Sequence, residues 1–400
     1  MPSNGNPRGS ALEVLLVSLR LGVSSFGGPV AHLGYFRDEY VTRRAWVSDE
    51  GFADIVALCQ SLPGPASSQV NMAIGMARAG LPGALAAWIG FTLPSAVALT
   101  AFAFVAGTGG LIDSGWMHGI MLAAVAVVAQ ALVAMARRLT PDTPRVLFAV
   151  TAAIVSLLVP ASLAQLAIIV AGGVAGRLLL PSDSAVRGEY LHIAIPRSVS
   201  IGALTLFVLF LIGLPVLRQL VPTHWISLVE SYYRVGSLVF GGGHVVLPLL
   251  HAETVPSGWV SDPQFLAGYG AAQAMPGPLF TFAAYLGAIE GPTPNGIPGA
   301  LLALGAIFLP SFLLLVGVLP FWASLRARPG FQSVLAGVNA AVVGLLVAAL
   351  YAPVWSGAVR TPEDFCIALA CFSLLAVKKV RPWMVVGLGA AAGAALRLLS

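Results

Sequence analysis

Long apolar runs recur from residue 11 to residue 398 of this chain, and only short polar joints separate them. A helix needs about 20 apolar residues to cross the hydrocarbon core of a bilayer, and most of the runs reach or approach that length. Only 9% of the residues are charged, whereas soluble proteins carry about 25%. The pattern predicts an all-α polytopic membrane protein and excludes an ordinary soluble protein. The net positive charge lies mainly in the joints, which is typical of membrane topology rather than of nucleic-acid binding.

Thirteen segments are candidates for membrane helices on this pattern. They are 11–36, 52–79, 81–107, 114–137, 145–160, 162–180, 199–220, 225–252, 263–290, 297–322, 331–356, 363–377 and 382–398.

The two halves of the sequence resemble each other. Residues 20–28, RLGVSSFGG, align with residues 234–242, RVGSLVFGG, and the Pro-Gly-Pro block at 63–65 aligns with the block at 276–278. The matches keep their order along the chain, as expected for an internal duplication, and many transporters are built from such repeats. Each half then holds about six helical segments, some of them broken or re-entrant.

One unmatched segment between the halves places an odd number of crossings before the second half, so the second half is inverted relative to the first. We therefore predict a first repeat over residues 1–198, a linking transmembrane helix over 199–221 and an inverted second repeat over 222–400.

The crossing number is open on sequence grounds. Either all thirteen segments cross, or the first two segments of each half are re-entrant and return to the side they entered from. Both arrangements place most lysines and arginines in the cytoplasm, as the positive-inside rule requires, and the re-entrant one gives the larger excess. Both also keep the halves antiparallel.

Two kinds of helix break recur in both halves and form the predicted ligand site. The first is rich in glycine, with Gly27 and Gly28 in the first half and Gly241 and Gly242 in the second. Glycine lets the backbone approach a ligand, and a helix that restarts there points free N–H groups at the gap, which suits an anion. Close packing of membrane helices through small residues is the structural alternative.

The second kind of break is a glycine between two prolines. Its residues are Pro63, Gly64 and Pro65 in the first half and Pro276, Gly277 and Pro278 in the second. Proline removes N–H donors and splits the helix, and irregular backbone at membrane depth persists only inside protein or beside a watery cavity. Polar residues that follow these breaks are also predicted to bind the anion: Ser67, Ser68, Gln69, Asn71 and Thr281. Ordinary capping of a kinked helix is the alternative.

Two matched cations, Arg20 and Arg234, lie inside predicted segments. A guanidinium group offers a planar fork of donors that suits oxyanions, so we predict that both bind the substrate. Structural ion pairing or snorkelling to the interface is the alternative. Carboxylates shielded from water can titrate near neutral pH, and the candidates for proton coupling are Glu39, Asp54, Glu230 and Glu253. A loop charge near the lipid headgroups is the alternative, above all for Glu39. We expect no metal site and no cofactor.

These motifs resemble the chromate ion transporter family in its long, two-domain form. The resemblance covers nearly the whole chain and rests on SFGGPVAHLGYFRDEY at 25–40, on FGGGHVVLPLLHAETV at 240–255 and on the Pro-Gly-Pro blocks. It implies a secondary transporter that exports chromate across the inner membrane by alternating access and gives chromate resistance. This chain has Gly243 where the first half has Pro29, and Phe282 where it has Gln69, so we expect an asymmetric site.

The expected partners are chromate, with sulfate as a related or competing anion, the lipid bilayer and a second copy of the chain in a homodimer. Import or exchange of sulfate or another oxyanion and passive anion conduction are the alternatives. An intramembrane enzyme is disfavoured because no nucleophile with a base, and no metal triad, is recognisable.

Overall fold

The computed structural model describes residues 9–107, 114–159, 162–181, 195–240, 243–328 and 330–399, and these ranges contain helices and no strand. The helices of the first half are α1 (Ala11–Ser24), α2 (Gly28–Phe36), α3 (Asp49–Ser61), α4 (Ala66–Gly107), α5 (Gly115–Leu139), α6 (Thr143–Leu158) and α7 (Ser162–Leu179). They are followed by α8 (Arg197–Leu220), α9 (His224–Leu238), α10 (Val246–Thr254), α11 (Asp262–Ala274), α12 (Phe282–Ile289), α13 (Gly296–Val318), α14 (Trp322–Arg326), α15 (Phe331–Ala349), α16 (Ser356–Ala358), α17 (Pro362–Ala376) and α18 (Pro382–Leu399).

Five helical stretches of the described chain are long and apolar enough to cross a membrane: Ala66–Ala106, Gly115–Leu139, Arg197–Leu220, Gly296–Leu325 and Phe331–Ala358. The prediction of an all-α polytopic fold is confirmed. The division into two inverted repeats stays a prediction.

The segment predicted over 11–36 is a hairpin of two short helices, α1 and α2. Ser18 lies within α1 and Tyr40 lies beyond α2, in the π-helical turn Arg37–Arg43, yet their hydroxyl oxygens are 3.3 Å apart. This contact requires the chain to reverse between the two helices. The 14 residues of α1 extend about 21 Å, which is too short for a hydrocarbon core of about 30 Å.

The segment predicted over 52–79 is also interrupted. Helix α3 ends at Ser61, the Pro-Gly-Pro break follows, and α4 begins at Ala66. Within α4 the backbone is non-helical at Ala79 and Gly80. Because the Asn71 side-chain amide donates to the Ala87 carbonyl at 3.0 Å, the parts of α4 on either side of this turn run antiparallel.

The second half contains the same two kinds of hairpin. Arg234 on α9 binds the Glu253 carboxylate on α10 at 2.7 Å, so these helices fold back on each other. The Tyr285 hydroxyl on α12 donates to the Gln264 carbonyl on α11 at 2.9 Å, so α11 and α12 also fold back on each other. These reversals favour the re-entrant arrangement over thirteen full crossings.

Contacts between distant helix ends are consistent with antiparallel halves. His118 at the start of α5 contacts Asp364 at the start of α17, with 2.7 Å between Nε2 and Oδ1. Ser333 at the start of α15 donates to the carbonyl of Pro181, just after α7, at 2.7 Å. With inverted halves, the first pair lies on the outer side of the membrane and the second on the cytoplasmic side.

Candidate functional site

The helix breaks of the two halves meet at two hydrogen bonds that cross between them. The Gly64 amide donates to the Val239 carbonyl at 2.7 Å, and the Gly277 amide donates to the Ser25 carbonyl at 2.9 Å. In the repeat alignment Gly64 matches Gly277 and Ser25 matches Val239, so each proline break is tied to the glycine break of the other half. The predicted site residues Gly241 and Gly242 lie outside the described residues.

A cavity of about 270 Å³ lies beside this crossing and is lined from both halves. Its wall includes Gly27 and Pro29 at the first glycine break and Gly64 and Ser67 at the first proline break. It also includes Arg138 from α5, Asn339 from α15 and His244, which follows the second glycine break.

Two helices of the first half begin at the cavity. Gly27 caps α2 in the left-handed backbone conformation, with φ at 100°, and Pro29 follows in the first turn, where its missing N–H has no intrahelical partner to lose. Helix α4 begins at Ala66 beside the cavity wall. The first N–H groups of a helix have no intrahelical acceptor and carry partial positive charge, so both helix ends favour an anion in the cavity.

Arg138 supplies a positive charge that the sequence analysis missed. Its guanidinium donates a hydrogen bond to Gln60 Oε1 at 2.9 Å, and both residues line the cavity. Because Arg138 stands at the end of a membrane segment, the sequence suggests only a cytoplasmic topology charge there. Gln60 aligns with Gln273 in the second half, and each lies just before a proline break. This repeated glutamine was the available indication that the residues around Gln60 lie at the site.

Ser67 is the polar side chain after the first proline break that reaches the cavity wall. Its hydroxyl lies 3.2 Å from His32 Nδ1, and both residues are buried. Neither Ser68 Oγ nor Gln69 Oε1 has a hydrogen-bond partner in the described structure, and both are buried.

Other residues of the predicted site hold the breaks together without lining the cavity. The Asn71 side-chain oxygen accepts a hydrogen bond from the Tyr40 hydroxyl at 2.6 Å. The Asn71 amide donates to the Ala87 carbonyl and so joins the two parts of α4. Thr281 donates to the Pro278 carbonyl at 2.7 Å. Gly28, Pro63, Pro65, Pro276 and Gly277 lie at the breaks, outside the set of described residues that forms the cavity wall.

The structure does not bring Arg20 and Arg234 to the cavity. Arg20 is exposed on α1. Arg234 is bound by two carboxylates, with Glu230 Oε1 at 2.6 Å and Glu253 Oε2 at 2.7 Å. The predicted binding role of these arginines stays a prediction, and the geometry favours Arg138 as the cation of the site.

The candidates for proton coupling are all paired. Glu230 contacts Arg218 at 2.7 Å in addition to Arg234, and the Trp322 indole donates to Asp54 at 3.0 Å. Glu39 lies in the polar stretch between hairpins and accepts from Arg44 at 2.7 Å. Burial raises the pKa of Glu39, but the hydrogen bonds and charges of Arg44 and Arg43 outweigh this and hold its pKa below the ordinary value.

Comparison with known proteins decides the family. The family model for chromate transporters matches residues 12–177 and 226–394. The chain belongs to the chromate transporter family. This transporter is 27% identical over 394 residues to the chromate transport protein of Cupriavidus metallidurans, covering 96% of this chain and 91% of that protein. It is 28% identical over 362 residues to an uncharacterized transporter of Methanocaldococcus jannaschii, covering 87% of this chain and 85% of that protein.

The chromate transport protein of Pseudomonas aeruginosa is 26% identical over 343 residues, covering 82% of this chain and 77% of that protein. No solved structure is a significant match. The resemblance drawn from the glycine and proline motifs is confirmed, and the protein is a multi-pass membrane protein.

Proposed function

We propose that this member of the chromate transporter family is a secondary transporter, not an enzyme, that exports chromate across the inner membrane by alternating access and thereby gives chromate resistance. The family relationship supports chromate transport in general.

The cavity that joins Arg138 to the first turns of α2 and α4 is the observation that carries the proposal. Chromate is a tetrahedral dianion, and its oxygens accept hydrogen bonds from donors on several sides. A guanidinium group and helix N-terminal amides supply donors and positive charge from fixed directions, and hydrogen bonds to charged groups are the stronger ones. The Ser67 hydroxyl adds a neutral donor at the wall.

The position of Arg138 supports export. The positive-inside rule predicts that the end of α5 lies in the cytoplasm, and Arg138 lies at that end of the helix. A cavity reached from this side receives its substrate from the cytoplasm. The membrane potential, negative inside, then favours outward movement of a dianion.

The re-entrant hairpins support alternating access. The breaks of one half are joined to those of the other by backbone hydrogen bonds, such as that from Gly64 to Val239, and no continuous helix of the described residues passes through them. Rocking of one half against the other is the movement expected of inverted repeats around a fixed central site.

Everted membrane vesicles test the proposal, because export from the cytoplasm becomes uptake of chromate into the vesicle. Arg138→Ala is expected to reduce this uptake at least tenfold. Arg137→Ala is the matched control, since Arg137 is the adjacent exposed arginine of α5 and does not line the cavity. Equal loss in both variants would remove Arg138 from the site.

The same vesicles separate the alternatives. Export by a coupled transporter requires chromate uptake against its concentration gradient when the vesicles are energised, and sulfate in excess is expected to compete. Downhill chromate flux that energisation leaves unchanged would indicate a passive channel. Transport of sulfate only into intact cells would indicate an importer.

A further inference from the structure

We infer that His32 is a positioning residue of this transporter, which turns the Ser67 hydroxyl hydrogen toward the oxyanion in the cavity. The inference rests on the proposed function and names a residue of the site beyond those that contact the cavity. His32 itself is not among the residues of the cavity wall.

The contact that carries the inference is the 3.2 Å separation between His32 Nδ1 and Ser67 Oγ. Both side chains are buried, with 1% and 3% of their surface exposed, so water does not compete for this hydrogen bond. Phe36 and Phe91 hold the ring, and Phe91 meets it edge to face with 5.3 Å between centroids. The imidazole is therefore fixed in place.

The tautomer of His32 decides what Ser67 offers to the cavity. When Nδ1 lacks a proton, the Ser67 hydroxyl donates to His32 and presents only lone pairs to an anion. When Nδ1 carries the proton, His32 donates to Ser67 Oγ and the hydroxyl hydrogen is free to donate to the anion. A bound oxyanion selects the second arrangement because it stabilises only that one.

No side chain of the described residues fixes the tautomer from the other ring nitrogen. His32 Nε2 is buried and has no side-chain hydrogen-bond partner in the described structure, whereas a histidine fixed in one tautomer usually has such a partner on its second nitrogen. The change of tautomer removes one proton from Nε2 and adds one to Nδ1, so the ring is neutral before and after it. His32 can therefore orient the Ser67 hydroxyl without becoming positively charged.

The duplicated sequence provides an internal comparison. In the repeat alignment Val246 stands where His32 does, and Phe280 stands where Ser67 does. Both replacements are fully buried. The histidine and the serine are thus present together in the half that supplies most of the cavity wall and absent together from the matching positions of the other half, as expected for two residues that act as a unit.

A double-mutant cycle on chromate affinity tests the inference in the purified full-length transporter. Because hydrogen bonds to charged groups are stronger than those between neutral groups, Ser67→Ala is expected to weaken binding about tenfold or more. His32→Val is expected to cause a similar loss. The double variant His32→Val/Ser67→Ala is expected to bind no more weakly than Ser67→Ala alone.

His32→Asn is the conservative variant, since its amide N–H stands near the place of Nδ1–H, and it is expected to recover most of the affinity. A purely structural histidine would instead give the same loss whether residue 67 is serine or alanine, and that result would overturn the inference. Failure of the wild-type transporter to bind chromate would refute the proposed function as well.

Nitrogen-15 spectra of histidine-labelled protein give a second test that does not depend on His32→Val folding. His32, assigned by its loss in His32→Asn, is expected to show a protonated Nδ1 when chromate is bound. An unprotonated Nδ1 in the complex would contradict the inference.

Discussion

The backbone amide of Gly277 donates a hydrogen bond to the carbonyl of Ser25 at 2.9 Å, and Gly64 makes the matching bond to Val239. Each bond joins a proline break of one half to the glycine break of the other. Prolines on both sides of each glycine cannot donate, so the glycine amide is the donor that each block retains. The breaks therefore form one joint between the halves, beside the cavity.

Gly64→Ala is expected to destabilise this joint. Gly64 has φ at 117°, and a Cβ there would overlap Ser311 Oγ. A side chain held in that backbone region costs about 1–3 kcal/mol, and the overlap adds to the cost. Thermal unfolding in detergent is the measurement, and the expected result is a lower midpoint.

Gly34→Ala is the matched control for Gly64→Ala. Gly34 lies in the interior of α2, and a Cβ at this position would meet no atom within 4 Å. Alanine is the better helix former, so this variant is expected to be neutral or slightly stabilising. Equal destabilisation of both variants would show that the joint does not depend on the backbone of Gly64.

Much of the fold could be predicted from the sequence because its determinants are local. Apolar length places the helices, and the glycine and proline blocks mark where they break. The reversal of α1 and α2 could not be predicted, because a broken helix that continues and one that folds back have the same apolar pattern. The contact between Ser18 and Tyr40 shows that the chain folds back, and it depends on tertiary packing.

The candidate site was less predictable for a related reason. Gly27, Gly64 and Ser67 could be found because they follow breaks that recur in both halves. Arg138 could not, since a basic residue at a helix end is ordinarily explained by membrane topology. For Arg234 the sequence indicates one acidic partner, Glu230 at i−4, whereas the second partner, Glu253, reaches it through the hairpin.

The two repeat-matched arginines are expected to respond differently to alanine substitution. Arg234→Ala leaves Glu230 and Glu253 buried and short of a cation, and breaking a buried ion pair in this way costs about 3–5 kcal/mol. Arg20 is exposed and has no ion pair to the described residues, so Arg20→Ala is expected to retain stability and chromate affinity. Unfolding midpoints and binding by the folded fraction check both.

A tenfold loss of chromate affinity in Arg20→Ala, with unchanged stability, would contradict this expectation. It would restore Arg20 as a ligand, for example in another conformation of the transport cycle.

Glu39 is expected to contribute to stability at neutral pH without carrying a transported proton. Its folded-state pKa is below the ordinary value because Arg44 and Arg43 favour the carboxylate more than burial opposes it. A depressed pKa gives stability that is present above the unfolded-state pKa, about 4.3, and is lost as the pH falls through the folded-state value. Glu39→Gln should therefore lower the unfolding midpoint at pH 7 more than at pH 4.

The pH profile of chromate transport between pH 6 and 8 is expected to keep its shape in Glu39→Gln, because Glu39 stays ionised throughout that range. Loss of the pH dependence in this variant, with transport retained, would instead identify Glu39 as a coupling residue.

The re-entrant hairpins make a prediction about sidedness that full crossings do not share. Thr42 follows the first hairpin helices and Ser257 follows their counterparts in the second half, and both are exposed. If α1 and α2 return to the side they entered from, Thr42 lies in the cytoplasm with the N-terminal region, and Ser257 lies outside because the second half is inverted.

We therefore expect a cysteine at 42 to react with a membrane-impermeant thiol reagent in everted vesicles and a cysteine at 257 to react in intact cells. Both are introduced after Cys59, Cys366 and Cys371 are replaced by alanine, and labelling of position 42 from outside would show that the first segment crosses the bilayer.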